Sequence, residues 1–468
     1  MSFNFDTSYS KLNSKFFSYI NLKNIENPQL LILNNNLLNE LNINEPEEEL
    51  IQILSGNKLL EKPIAQRYAG HQFGYLNNLG DGRAALLGEH VTSNKSVDIQ
   101  LKGSGITPYS RGGDGLLTLN SALREYVYST ALTNLNIKSS QSLAVILTNN
   151  QVVREEIERG AILTRVMDSH IRVGTFEFVS YSSSKEELKE FTDYVIKRHF
   201  IEIDQKNNKY TLLLEKVMMC QIDMVINWIR VGFVHGVMNT DNMSITGETF
   251  DYGPCAFMNS YNLNTKFSRV DTQGRYAFGN QKNILLWNLE RFAETLIPII
   301  DEEPKEAIKL LEKSLSKFED IYEEKFNSMM KAKLGIKNEI QCTDLIKKFL
   351  NWLQKNQPDY TNTFIELEHP GTFNEKVFKT KTFQNLREEI KKVGLYSTIM
   401  RKVNPYIIPR NYLVEEAIDE YINKQNLTKF NQLLEVLENP YEINKKHKKY
   451  LQPPKKEYDL TYTTHCNT

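Results

Sequence analysis

Val97, Ile99 and Leu101 alternate with Asp98, Gln100 and Lys102, the two-residue period of a strand with one apolar face. Residues 83–89 read as a strand just before it, and 143–148 and 161–167 as two more. Helical spacing takes over in 120–135, where Leu123, Val127, Ala131 and Leu135 recur every fourth residue and Asn120 is the expected cap. A second helix is predicted over 211–231, with Met218, Ile222, Val225, Ile226 and Ile229 on one side and Gly232 as its stop. Residues 243–250 read as a tight hairpin that delivers Asp251. From about residue 284 the pattern is helical. Pro304 suits a first helical turn, and Ile308, Leu311, Leu315, Phe318, Tyr322 and Met329 keep the repeat up to Gly335. The expected class is α+β in three parts: a helical and loop-rich lead-in over 1–60, a core over 61–300, and a mainly helical region over 301–468. The Lys- and Pro-rich tail after 440 is expected to be loosely ordered.

Composition narrows the function classes. The 468 residues are 40% apolar and 25% charged, which is globular and excludes a disordered or collagen-like chain. Lys and Arg number 57 against 58 Asp and Glu, so no global field exists to hold nucleic acid or an anionic membrane, and neither is expected as a partner. No apolar run approaches the ~18 residues of a membrane span, and residues 1–20 lack the apolar stretch of a secretory signal. Four cysteines without a CxxC pair argue against a zinc module and a disulfide framework, and point to the reducing cytoplasm.

The candidate chemistry begins where glycines cluster, from Gly70 to Gly115. Such spacing makes turns whose backbone N–H groups approach a ligand. Gly80-Asp81-Gly82-Arg83 lies between strands; Lys102 ends the next strand; Glu125 follows 23 residues later on a helix. After the second helix comes a His235-Gly236 loop that ends in Asn242, and then Asp251 in an Asp-Tyr-Gly triplet. In this order the parts match a protein-kinase nucleotide site: a phosphate-covering turn, a lysine with its glutamate, and two oxygen ligands for Mg²⁺. Glu125 raises an objection, because it sits about 200° around the helix from Leu123. The stripe Ala122, Glu125, Tyr128 and Leu132 would have to face the site. One part is missing. The kinase loop HRDxxxxN carries its catalytic Asp five residues before the Asn, and here that position is Val237. Valine cannot accept a proton, so ordinary γ-phosphoryl transfer is disfavoured, while both metal positions are kept and Asp241 stands beside Asn242.

Residues 68–74 (YAGHQFG), 79–84 (LGDGRA), 100–105 (QLKGSG), 108–115 (PYSRGGDG), 235–242 (HGVMNTDN) and 275–281 (RYAFGNQ) together resemble the selenoprotein O family, densely from about 55 to 290 and more thinly beyond. The resemblance implies a protein-kinase-like two-lobed fold with a helical C-terminal extension, and an enzyme that transfers AMP from ATP to Ser, Thr or Tyr hydroxyls of proteins. ATP would be held inverted relative to kinases. On the matching positions, Gly80, Gly82 and Arg83 would contact the nucleotide from the glycine turn. Lys102 would hold phosphate oxygens with Glu125 as its partner. Asp114 and Gly115 would help bind the inverted nucleotide, and Arg165 and Arg172 would neutralise the outer phosphates. Asn242 and Asp251 would ligate Mg²⁺, with Mn²⁺ as the alternative ion, and Asp241 would be the general base. Cys255, four residues past Asp251, and Cys466, third from the C-terminus, would form a reversible disulfide; two unrelated thiols are the alternative.

Other readings stay open at this level. They are a true kinase with Asp241 as a displaced base, UMP transfer from UTP, and a non-catalytic ATP-binding scaffold. Arg165 and Arg172 read either as phosphate contacts or as surface ion pairs. His71 is a ligand, an acid or a hydrogen-bonded structural residue; His235 is expected to brace the loop. Tyr68, Phe73 and Tyr109 are expected to pack rather than stack on a base.

Overall fold

A computed structural model describes residues 2–442 and 447–464. Its centre is a nine-stranded antiparallel sheet. The strands are β1 (Phe5–Asp6), β2 (Phe17–Tyr19), β3 (Gln29–Leu33), β4 (Ile64–Gln66), β7 (Ala84–Val91), β8 (Ser96–Lys102), β9 (Leu117–Thr118), β10 (Gln141–Val153) and β11 (Ile157–Met167). The main path runs β2-β4-β7-β8-β11-β10-β3, with β1 on β7 and β9 on β11. A separate hairpin, β5 (Ala69–Gln72) with β6 (Tyr75–Asn78), stands beside it, and a short pair, β12 (Phe233–Val234) with β13 (Ala256–Phe257), lies on the helical side.

The alternation of β8 is real, but neither face meets water. Its apolar side, Val97, Ile99 and Leu101, packs in one cluster with Phe3, Ile20, Leu37, Leu50 and Leu54. Those residues come from the lead-in, which therefore supplies three strands and two helices, α1 (Asn35–Glu40) and α2 (Glu47–Leu54), rather than helix and loop alone. The polar side of β8 is buried as well, and each group has a partner: Asp98 with Arg198 and His170, Gln100 with Asp81, Lys102 with Glu125.

Helix α3 (Leu119–Asn134) is capped by Thr118, whose side chain accepts from the N–H of Ser121, and not by Asn120. It is buried nearly all round, so Leu123 and Glu125 both face protein and the objection to Glu125 disappears. Helices α4 (Val173–Ser182), α5 (Lys185–His199), α6 (Lys209–Val231) and α7 (Gln281–Ile300) build the opposite side. Gly232 ends α6 with φ +75°. The helical repeat after Pro304 is two helices, α8 (Pro304–Leu315) and α9 (Phe318–Lys333). Then follow α10 (Thr343–Asn356), α11 (Tyr360–Glu368), α12 (Lys381–Lys391), α13 (Ser397–Met400), α14 (Asn411–Lys424) and α15 (Thr428–Glu438). The expected hairpin at 243–250 does not form a ladder. Ser244 bridges to Arg172 and Thr249 to Ser139, so this segment stitches the helical side to the sheet side. The described part of the tail is not loose: α16 (Lys448–Leu451) buries Tyr450 and Leu451, and α17 (Lys456–Thr461) leads to a buried Thr464. No described helix is long and apolar enough to cross a membrane.

Candidate active site

Between the sheet and the helices lies a cavity of about 390 Å³. Gly80, Gly82, Arg83, Lys102, Asp114, Gly115, Arg165, Arg172, Asp241, Asn242 and Asp251 all line it. Glu125 sits one layer behind. The lining sets six cations, Arg83, Lys102, Arg111, Arg154, Arg165 and Arg172, against four carboxylates, Asp81, Asp114, Asp241 and Asp251. The excess suits an anionic ligand.

The glycine turn is held by a second loop folded over it. Thr107 Oγ1 donates to the carbonyl of Asp81 at 2.6 Å, and Ser110 Oγ donates to that of Gly82. A Cβ on Gly80 would meet the Tyr109 ring at 2.5 Å, so only glycine permits this approach. Gly115 has φ +70°, and a Cβ there would lie 2.1 Å from the Gly105 carbonyl oxygen. Tyr109 thus packs as expected, yet it also lines the cavity, as do Tyr68 and Phe73.

Four charged side chains form a closed lattice at the back. Lys102 Nζ donates to Glu125 Oε2 at 2.8 Å and to Asp251 Oδ1 at 2.6 Å. Arg165 donates from Nε to Glu125 and from Nη2 to Asp251 Oδ1 at 3.0 Å. Burial by itself would push both carboxyls up. Arg165 and Lys102 outweigh it at Glu125, and Lys102, Arg165 and Arg83 outweigh it at Asp251, which is held well below the usual carboxylate range. Arg165 therefore joins the Lys102–Glu125 pair to Asp251. Arg172 is buried too. It lies 4.0 Å over the Tyr68 ring and donates to the carbonyls of His170 and Asp241. Neither arginine is a surface ion pair. Asp114 is gripped at both oxygens by Arg154, at 2.7 and 3.0 Å.

Asp241 lies in the turn Thr240–Asn242. Its Oδ1 is buried without a hydrogen-bond partner among the described residues, and burial, only partly opposed by Arg172, pushes its carboxyl up to about 6. Asn242 Nδ2 donates to the Val237 carbonyl at 3.1 Å, which leaves its Oδ1 for a cation. The bonds from Lys102 and Arg165 to Asp251 both go to Oδ1, and about a third of its side-chain surface (36%) is open towards the cavity. Hard oxygens beside an anion-binding cavity are the donor type that Mg²⁺ takes, so Asn242 and Asp251 fit such an ion. The described residues hold no cluster of three or more His, Cys, Asp or Glu placed for a metal.

His235 braces the loop: Nε2 bonds the Phe250 carbonyl at 2.9 Å and the ring packs on Trp228. Cys255 is fully buried, donates to the Tyr252 carbonyl at 3.3 Å, and has its thiol pushed far up by burial. Cys466 lies outside the described residues. Arg111, Arg154 and Asp81 line the cavity without having been singled out in the sequence. Arg154 sits in a charged turn next to Glu155 and Glu156, which looks like a solvated loop; its partner Asp114 is 40 residues away.

With this geometry in place, the comparisons are decisive. The family described as Protein adenylyltransferase SelO matches residues 1–438. The chain belongs to this family. Relatives named Protein nucleotidyltransferase YdiU include one from Clostridium perfringens, 46% identical over 100% of this chain and 98% of the relative. Another, from Anoxybacillus flavithermus, is 47% identical over 100% and 99%. One from Bacillus cereus is 45% identical over 99% and 98%. Likeness to this family thus spans the full chain, including the helical region after residue 300.

Proposed function

We propose that this protein adenylyltransferase moves AMP from ATP to hydroxyl side chains of proteins, with Mg²⁺, on a protein-kinase-like two-lobed frame. The observation that carries the reading is the placement of Asp241. Val237 occupies the position of a kinase base, while four residues later a buried carboxylate with a free Oδ1 lines the cavity that also holds Lys102 and Asp251. Arg83, Lys102, Arg165 and Arg172 hold the triphosphate and neutralise it. Asn242 Oδ1 and the Asp251 carboxylate would hold the metal, which would supply positive charge for the phosphate oxygens. With ATP inverted, the α-phosphorus faces the acceptor. Asp241 takes the hydroxyl proton, the acceptor oxygen bonds to Pα, the Pα–O–Pβ bond breaks, and pyrophosphate leaves. Rate then comes mainly from positioning and charge stabilisation.

Asp241→Asn tests the assignment. The variant should bind ATP as the wild type does in calorimetry, while transfer falls by about 10²–10⁴-fold. Full transfer by Asp241→Asn removes it as the base. The Cys255–Cys466 pairing belongs to the same reading and is supported by the path of the chain: Thr464, two residues before Cys466, donates to the carbonyl of Pro254 at 2.8 Å, next to Cys255. Its buried thiol would have to be exposed for exchange. Peptide mapping under oxidising conditions should recover the joined peptides; free thiols alone would refute the pairing. The cytoplasmic setting inferred from the sparse cysteines makes that pairing a conditional state.

A further inference from the structure

His71 lies in the glycine-flanked motif 68–74, whose Tyr68, Gln72 and Phe73 line the cavity, but its own ring is not on the wall. It belongs instead to a closed ring of hydrogen bonds. Its Nδ1 meets Glu177 Oε1 at 2.5 Å. Thr240 Oγ1 donates to Glu177 Oε2 at 2.6 Å, and the same Oγ1 accepts the backbone N–H of His71 at 2.7 Å. Because a carboxylate only accepts, Nδ1 carries the proton, and both arms of the ring run from His71 to Glu177, one directly and one through Thr240. The three residues come from β5, α4 and the Thr240–Asn242 turn. Trp287 closes the far side edge-on to the imidazole at 5.4 Å.

What this ring holds is the depth of Asp241. The chain enters Asp241 directly from Thr240. A Cβ on Gly70, next to His71, would lie 2.4 Å from Asp241 Oδ1, and one on Gly174, in α4, would lie 2.0 Å from the Ala69 carbonyl oxygen and 3.3 Å from Asp241 Cα. Strand, helix and turn thus approach as closely as backbone allows. Asp241 Oδ1 has no hydrogen bond of its own among the described residues. Its side chain is placed by this packing and by the bonds of its neighbour.

We propose that His71 and Glu177 are positioning residues for group transfer: through Thr240 they lock the Asp241 turn at the distance from the acceptor hydroxyl that proton transfer needs. The proposal rests on Asp241 being the base. It gives a function to a carboxylate that burial would otherwise penalise, since two donors satisfy Glu177. None of the three side chains lines the cavity, so the direct nucleotide contacts of the glycine turn, Lys102 and Arg165 do not depend on the ring; the turn it holds also carries Asn242, so ATP affinity is read without Mg²⁺.

Steady-state kinetics on purified full-length variants test it. His71→Ala and Glu177→Gln should lower kcat by about 10- to 100-fold, the cost of a misplaced reacting group. The calorimetric affinity for ATP without Mg²⁺ should stay within about twofold of wild type, because the contacts offered by the glycine turn, Lys102 and Arg165 are unchanged. Thr240 supplies the internal control: Thr240→Ser keeps the hydroxyl and should retain near-wild-type kcat, whereas Thr240→Val keeps the shape, loses both bonds and should match Glu177→Gln. Unchanged kcat in Glu177→Gln and Thr240→Val overturns the proposal. So does a parallel loss of kcat, ATP affinity and thermal midpoint, which would mean a purely structural ring. If wild-type enzyme labels acceptors from the γ-phosphate, the adenylyl reading fails, and the same kcat ratios on that transfer still decide the role of the ring.

Discussion

Asp241 and Asp251 are ten residues apart on one turn-rich segment, yet they stand in opposite surroundings. Burial raises Asp241, and the one cation near it, Arg172, spends its bond on the backbone carbonyl. Lys102 and Arg165 hold Asp251 ionised. Two carboxyls pushed apart in this way suit the proposed division between proton acceptor and cation ligand. Asp251→Ala should therefore abolish metal-dependent ATP binding as well as transfer, measured by calorimetry with and without Mg²⁺; retained metal-dependent binding would show that Asp251 is no ligand. Asp251 was legible in the sequence because the order Lys102, Glu125, Asn242, Asp251 along the chain is itself the signal, whereas the role expected of Asp241 came with the family resemblance. Arg154 was not, because a charged turn carries no mark of the distant carboxylate that draws it to the cavity. Nor was Glu177, an acidic residue inside an apolar helix whose two partners lie on other elements.

At the scale of elements, β8, β11 and α3 converge so that Lys102, Arg165 and Glu125 meet in a dry layer. Strand register sets this: Lys102 pairs with Leu163 and Gln100 with Arg165, so the lysine and the arginine lie diagonally on adjacent strands of the same sheet. Removing the carboxylate between them leaves two buried cations with Asp251 as their one bonded carboxylate in the lattice. Glu125→Ala should destabilise the protein by roughly 3–5 kcal/mol, as breaking a buried pair does, read from denaturant unfolding; a loss near zero would mean that the lattice is solvated. The two faces of β8 show how far alternation reaches. Period two correctly separated apolar from polar residues, but it could not tell a solvated polar face from one buried against a catalytic lattice. That distinction depends on α3, whose apolar repeat alone pointed Glu125 the wrong way. The hairpin expected at 243–250 failed for a related reason: its turn residues are right, but their partners are Arg172 and Ser139 rather than each other.

Over the whole molecule, one core runs from the sheet through α3 and α6 to the C-terminal helices, and a second joins the sheet to residues 3–54. Both the lead-in and the C-terminal helices thus pack around the sheet, which local periodicity does not reveal because the contacts join segments far apart in the chain. Buried titratable groups outside the site leave a signature in stability. His199 at the end of α5 has a buried ring nitrogen without a partner, and burial, with Arg198 beside it, pushes its pKa from 6.5 down to about 3. The unfolded chain binds that proton first, so this contribution is full above about pH 6.5 and is lost as pH falls towards about 3. Relative to wild type, His199→Gln should gain thermal midpoint as pH drops from about 7 to about 4; a constant difference would show that His199 titrates alike in both states. The central claim concerns which phosphorus is attacked, and one measurement addresses it directly: parallel incubation of acceptor protein with ATP labelled at the α- or the γ-phosphate. Stable label on the acceptor from the α-phosphate alone, with release of pyrophosphate, is the predicted result. Label from the γ-phosphate alone would contradict the account and make the protein a kinase.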